Sequence, residues 1–120
     1  MKYGDITGQV IGCAMRVHSY FGWGFPELIY KRSLIIELQR NGLECGAEVE
    51  RDIYYHDQFV GKRRVDLLVE KKVLVELKAT SALDPASSNQ VINYLKVFNI
   101  EVGLLLNFGT ERLTYTRFVN

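Results

Sequence analysis

Cysteine and histidine are scarce, two of each in 120 residues, and neither pair is arranged for metal or redox chemistry. Cys13 and Cys45 lie far apart, form no CxxC and have no histidine at ligand spacing. That argues against a zinc module or disulfide framework and predicts two buried free thiols in a reducing cytoplasm. His18 and His56 have no triad or metal-like neighbours, and both are expected to be structural or surface residues. Neither Ser87 nor Ser88 sits in a GxSxG elbow, which leaves no case for a serine hydrolase. No glycine-rich phosphate loop supports a nucleotide pocket. No apolar run reaches the roughly 20 residues that a membrane-spanning helix needs. The N-terminal MKYGDITGQVIG carries Asp5 and lacks an apolar core, so no secretory signal is expected. Charge of one sign is missing too: 15 basic residues against 14 acidic give +1. Any attraction to nucleic acid must then be local.

What is present fits one globular domain over residues 1–120, with 48% hydrophobic residues and no linker, repeat or low-complexity segment. Ile6, Val10, Cys13, Ala14, Val17 and Phe21 mark one helical face, with Asp5 or Thr7 as cap. Gly22, Trp23 and Gly24 break that helix. Pro26 suits the first position of a second helix running to Asn41 and Gly42. Ala47, Val49, Ile53 and Tyr55 alternate with Glu48, Glu50 and Asp52 as in a half-exposed strand. His56 to Gln58 make a turn, and Gly61 marks a bulge or bend in the next strand. Asp84 before Pro85 starts a third helix with a Val91, Leu95, Phe98 stripe. Val102 to Leu106 reads as a buried strand reached by crossover, and Leu113 to Val119 as an edge strand. The order is α, α, β, β, β, α, β, β: an α/β fold with one sheet covered by helices.

The richest stretch is Arg64 to Ala79, RVDLLVEKKVLVELKA. Two apolar runs flank Glu70, Lys71 and Lys72, which predicts a hairpin. Centring the turn on Lys71 pairs Val69 with Val73, Leu68 with Leu74, Leu67 with Val75, Asp66 with Glu76 and Val65 with Leu77. Alternation then puts Asp66, Leu68, Leu74, Glu76 and Lys78 on one face and the six remaining apolar residues, Val65 included, on the other. Directly opposed like charges are destabilising, and a hard divalent cation offsets them with oxygen ligands. Lys78 beside them could hold a phosphate or orient a water. The plainer alternative is a solvated surface strand.

Other residues leave alternatives open. Glu27 in the first turn of the second helix complements the helix dipole and pairs with Lys31 at i+4, or adds a third acid to the site. Gln90 and Tyr94 share one face of the third helix, either as its polar rim or aimed at a water or phosphate. Lys62, Arg63 and Arg64 lead into the Asp66 strand, and Lys71 and Lys72 mark a hairpin tip; both groups are weak candidates for local basic patches.

Gly24, Glu27 and Tyr30 spell GxxExxY, and Asp66, Glu76 and Lys78 spell D…ExK. Over nearly its whole length, through GLLLNF at Gly103 to Phe108, the chain resembles the GxxExxY family of bacterial proteins, of the PD-(D/E)XK nuclease-like superfamily. The resemblance implies a restriction-endonuclease-like core in αβββαβ order, a mixed sheet flanked by helices. It implies a Mg²⁺- or Mn²⁺-dependent nuclease acting on DNA in preference to RNA, with Asp66 and Glu76 binding metal and Lys78 catalytic. Glu27 corresponds to the acid that many members supply from the helix before the sheet, and Gln90 with Tyr94 resembles a QxxxY element. Tyr30, Tyr94 and Arg64 are expected to support substrate or structure. Val65 replaces the signature proline, and Pro26 precedes Glu27. The rival expectation is an inactive module of the same fold that binds nucleic acid or a protein. Homodimerisation or a protein partner would enlarge its small footprint.

Overall fold

The computed structural model describes residues 1–120 and has three helices and one five-stranded sheet. The elements are α1 (Gly4–Phe21), α2 (Glu27–Arg40), β1 (Cys45–Tyr55), β2 (Gln58–Val69), β3 (Val73–Lys78), α3 (Ala86–Phe98), β4 (Val102–Asn107) and β5 (Thr114–Val119). Strand order follows chain order, and every pairing is antiparallel except β3 with β4. The parallel pair is joined by α3, as parallel neighbours require a crossover. The mixed sheet, helices on both faces, is the α/β architecture expected of a restriction-endonuclease-like core.

Each sheet face has its own core. Against α1 and α2 lie Leu67, Val69, Val73, Val75, Leu77, Leu104 and Leu106, meeting Val10, Cys13, Val17, Tyr30, Leu34 and Leu38. Against α3 lie Val65, Leu74 and Leu105, meeting Val91, Tyr94, Leu95 and Phe98. The strands β3 and β4 are buried almost throughout because they are covered on both sides.

Several local expectations are corrected. α1 has neither Asp5 nor Thr7 as cap; Tyr3 holds that position in the left-handed region, and the Thr7 hydroxyl donates back to the Tyr3 and Gly4 carbonyls. Pro26 caps α2 from outside in an extended conformation, so Glu27 is the first helical residue. The turn between β1 and β2 is His56–Asp57 alone, both at positive φ, and Gln58 already pairs with Tyr55. The ladder shifts register beside Gly61, where a bulge was expected. Ala47 and Tyr55 are exposed, and Cys45 is only half-buried.

The largest departure concerns faces. Strict alternation would put Val65 with Leu67 and Val69, yet Val65 and its partner Val49 pack on the α3 side while Cys45, Leu67 and Val69 pack on the other. The switch falls at Asp66 and at Glu48, which stands between Ala47 and Val49 with φ 53°. A left-handed residue turns the ribbon about its own axis, and periodicity cannot see it.

Candidate active site

The hairpin register Leu67 to Val75, Leu68 to Leu74 and Val69 to Val73 is the one the sequence predicts. The ladder then stops. The expected pairs Asp66–Glu76 and Val65–Leu77 are absent from it, because the two carboxylates replace the backbone bonds. The Asp66 N–H donates to Glu76 Oε1 at 2.9 Å, and the Leu77 N–H donates to Asp66 Oδ2 at 2.8 Å. This reciprocal clasp holds two acids side by side where the strands part.

Glu76 is buried, at 6% exposure. Burial first, then the Asp66 charge, pushes its carboxyl up to about 8, against smaller downward pulls from the Asp66 N–H and then from Lys78. Glu27 enters from the start of α2. Desolvation and then Asp66 raise its carboxyl, while Lys78 and Lys31 draw it down. Asp66 and Lys78 therefore act on both Glu27 and Glu76, across three elements. Lys78 is half-buried and forms no ion pair within 4 Å, which leaves its ammonium free.

The third helix supplies Gln90 and Tyr94. Burial, Glu76 and Asp66 raise the Tyr94 phenol, opposed by Arg63 and by the neighbouring Gln90 side chain. Gln90 also lines a cleft of about 340 Å³ with Lys78, Thr80, Asp84 and Ser87.

Two predicted residues stand apart. Tyr30 is fully buried; its hydroxyl donates to the Gly22 carbonyl at 2.7 Å and accepts the Phe25 N–H at 3.3 Å, while its ring stacks on Phe108 at 4.8 Å. Tyr30 thus staples the loop in which Gly24 has φ 108°, a conformation suited to glycine. The GxxExxY spacing presents Glu27: glycine makes the bend, and tyrosine fixes it. Arg64 is exposed and approaches Glu48 Oε2 at 3.8 Å.

Lys31 went unrecognised. The expected pair with Glu27 does not form; the ammonium instead contacts Asp66 Oδ1 at 3.2 Å and Glu48 Oε1 at 3.3 Å, with the residue 8% exposed. A signal existed, since Lys31, Leu34 and Leu38 fall at i, i+3 and i+7 on the buried stripe of α2. Asn107 was also missed. Its side chain accepts the Thr80 N–H, donates to the Thr80 carbonyl and accepts the Gly109 N–H. With the Phe108 N–H on the Lys78 carbonyl, it fixes the chain just beyond Lys78.

The donor chemistry suits a hard cation, in part. Three acids do not come close enough to form a protein cage, but Mg²⁺ characteristically takes one or two carboxylates and keeps its remaining positions for water and phosphate. Asp66 and Glu76 meet that requirement, and their mutual repulsion is what a cation would relieve.

A scan of family models matches residues 4–118 to the PD-(D/E)XK nuclease superfamily. The chain belongs to that superfamily. Its members are generally hydrolytic nucleases that typically use divalent metals. Among solved structures, the protein designated SSO0001 superposes with a TM-score of 0.59 at 24% identity, over 80% of this chain and 53% of its own. That likeness is one of fold, and the chain spans about half the length of that structure. A search of curated proteins returned no match. No helix is long and apolar enough to cross a membrane.

Proposed function

We propose that this superfamily member is a metal-dependent nuclease that hydrolyses phosphodiester bonds in DNA, in preference to RNA, in the cytoplasm, and that it belongs to the GxxExxY branch. The carrying observation is the clasp, which sets two carboxylates together at a strand parting with an unpaired lysine two residues on. Asp66 and Glu76 are the proposed ligands of Mg²⁺ or Mn²⁺, with Glu27 completing the acidic set. When bound, such a cation polarises the phosphate and lowers the pKa of its water. Lys78 positions the attacking water and balances charge on the phosphate. Gln90 donates to that water or to a phosphate oxygen, Tyr94 orients Gln90, and Arg64 steadies the acidic strand through Glu48. A second copy or a protein partner extends the grip of so small a domain.

Incubation with single- and double-stranded DNA and RNA in Mg²⁺ or Mn²⁺ tests this reading. Cleavage is expected, with at least a 100-fold loss in Asp66→Asn and in Lys78→Met. No cleavage of any substrate, or cleavage unchanged in Asp66→Asn, sinks it.

One observation favours a second reading, an inactive module that binds nucleic acid or a protein. The Lys31 ammonium stands 3.2 Å from Asp66 Oδ1 and already balances that acid. Calorimetry with Mg²⁺ and Mn²⁺ separates the two, because the inactive module takes up no cation that Glu76→Gln abolishes.

A further inference from the structure

Arg51 and Arg63 face each other across β1 and β2, and neither has a carboxylate within 4 Å. Like charges so placed are destabilising. The neighbouring rungs pair opposite charges, Glu50 with Arg64 and Asp52 with Lys62. Where the acids Glu48 and Asp66 come together, the Lys31 ammonium bridges them; the arginine pair has no such counter-ion.

Its surroundings indicate what it awaits. Each arginine uses one nitrogen on the preceding carbonyl, Glu50 at 2.9 Å or Lys62 at 2.8 Å. A guanidinium has five N–H donors, so most remain free. Arg51 lies over the Phe98 ring of α3 at 5.5 Å. Arg63 lines a cleft of about 390 Å³ with Ile53, Asn89, Gln90, Asn93 and Tyr94. That cleft shares Ala86 and Gln90 with the cleft that reaches Lys78. The two clefts therefore adjoin along α3, one lined by Arg63 and the other by Lys78. Their walls carry amide donors and one acid, Asp84, whose Oδ1 already accepts the Ala86 N–H. Beyond the arginines, the tip of the ribbon exposes Tyr54, Tyr55 and Phe59. Aromatic side chains beside a basic track are how unpaired bases are held.

We propose that Arg51 and Arg63 clamp the phosphates of a single DNA strand and lead it along α3, past Asn93 and Gln90, to the acidic site. The direction of travel rests on the nuclease reading; the clamp itself does not. Free guanidiniums on a strand pair suit phosphate because their planar fork bonds two oxygens at once. The Arg51 guanidinium, already seated over the Phe98 ring, loses less freedom on ordering.

The test is fluorescence anisotropy of a labelled single-stranded oligonucleotide with the whole chain in EDTA, over a salt series. Arg51→Gln and Arg63→Gln keep the stems and remove the charges. Each is expected to weaken binding several-fold and to lower the slope of log K against log salt by about 0.7, the share of one phosphate contact on a single strand. The double lysine variant keeps most of the slope and controls for folding, while Arg40→Ala, an exposed charge on α2, leaves binding unchanged. The clamp is overturned if the double glutamine variant binds like the parent, if the parent does not bind, or if duplex binds more tightly than single strand. Asp66-dependent cleavage with arginine-independent binding removes the clamp and leaves the nuclease reading standing. Arginine-dependent binding by a protein that cleaves nothing does the reverse.

Discussion

Lys31 and Tyr30 are neighbours in sequence and point to different tasks. Lys31 supplies the positive charge beside Asp66, so Lys31→Met leaves that acid uncompensated in a largely buried setting. Breaking such a pair costs about 3 kcal/mol. Urea unfolding in EDTA should register the loss, and saturating Mg²⁺ should shrink it if the cation takes the place of the ammonium. An equal loss with and without Mg²⁺ means that no cation reaches Asp66. Tyr30→Phe keeps the stack on Phe108 but removes the hydroxyl bonded to Gly22 and Phe25. A cost of about 1–2 kcal/mol is expected. Any accompanying loss of activity should match Glu27→Gln in kind, because the tyrosine acts by holding the loop that presents Glu27.

The secondary elements show where sequence reading succeeds and where it stops. Short-range period and turn chemistry located all eight elements and the partners of Leu67, Leu68 and Val69. They also brought Asp66 near Glu76. They could not show that the carboxylates would replace the ladder, since that depends on strands parting under a third element. Nor could they show the face switch at Glu48, whose left-handed backbone leaves no trace in hydrophobic period. Lys31 was hidden by a plausible local partner in Glu27, and Asn107 by its position at the end of an apolar run. The Asn107 junction makes Gly109 sensitive, because a Cβ there would stand 2.1 Å from the Thr80 nitrogen. Gly109→Ala should displace the Ala79–Thr80 segment and lower the unfolding midpoint clearly, with activity falling further as Lys78 shifts. At the opposite end, His56 and Asp57 both hold positive φ in a two-residue hairpin turn. Asp57→Gly relieves one of these and should stabilise by roughly 0.5–1 kcal/mol in the same assay.

The whole molecule measures 46 × 31 × 24 Å, with a radius of gyration of 14.1 Å, slightly above the roughly 13.6 Å expected of a compact chain this long. The projecting β1–β2 ribbon accounts for its length. Global stability should carry the mark of Glu76. Its folded carboxyl sits at about 8 against an ordinary value of 4.5, so the folded state binds this proton more tightly than the unfolded state. Stability should therefore fall as pH rises from about 4.5 to about 8 and level off above. Thermal melts in EDTA test this; Glu76→Gln should flatten the decline, and Mg²⁺ should reduce it. The clasp also bears on how inactivity is diagnosed. Asp66→Ala removes the acceptor for the Leu77 N–H, so a dead alanine protein could have lost its strand junction rather than its chemistry. Asparagine can keep that acceptor while losing the charge. A substrate complex trapped for crystallography should therefore be sought with the amide, whose intact junction makes the silence of the site interpretable.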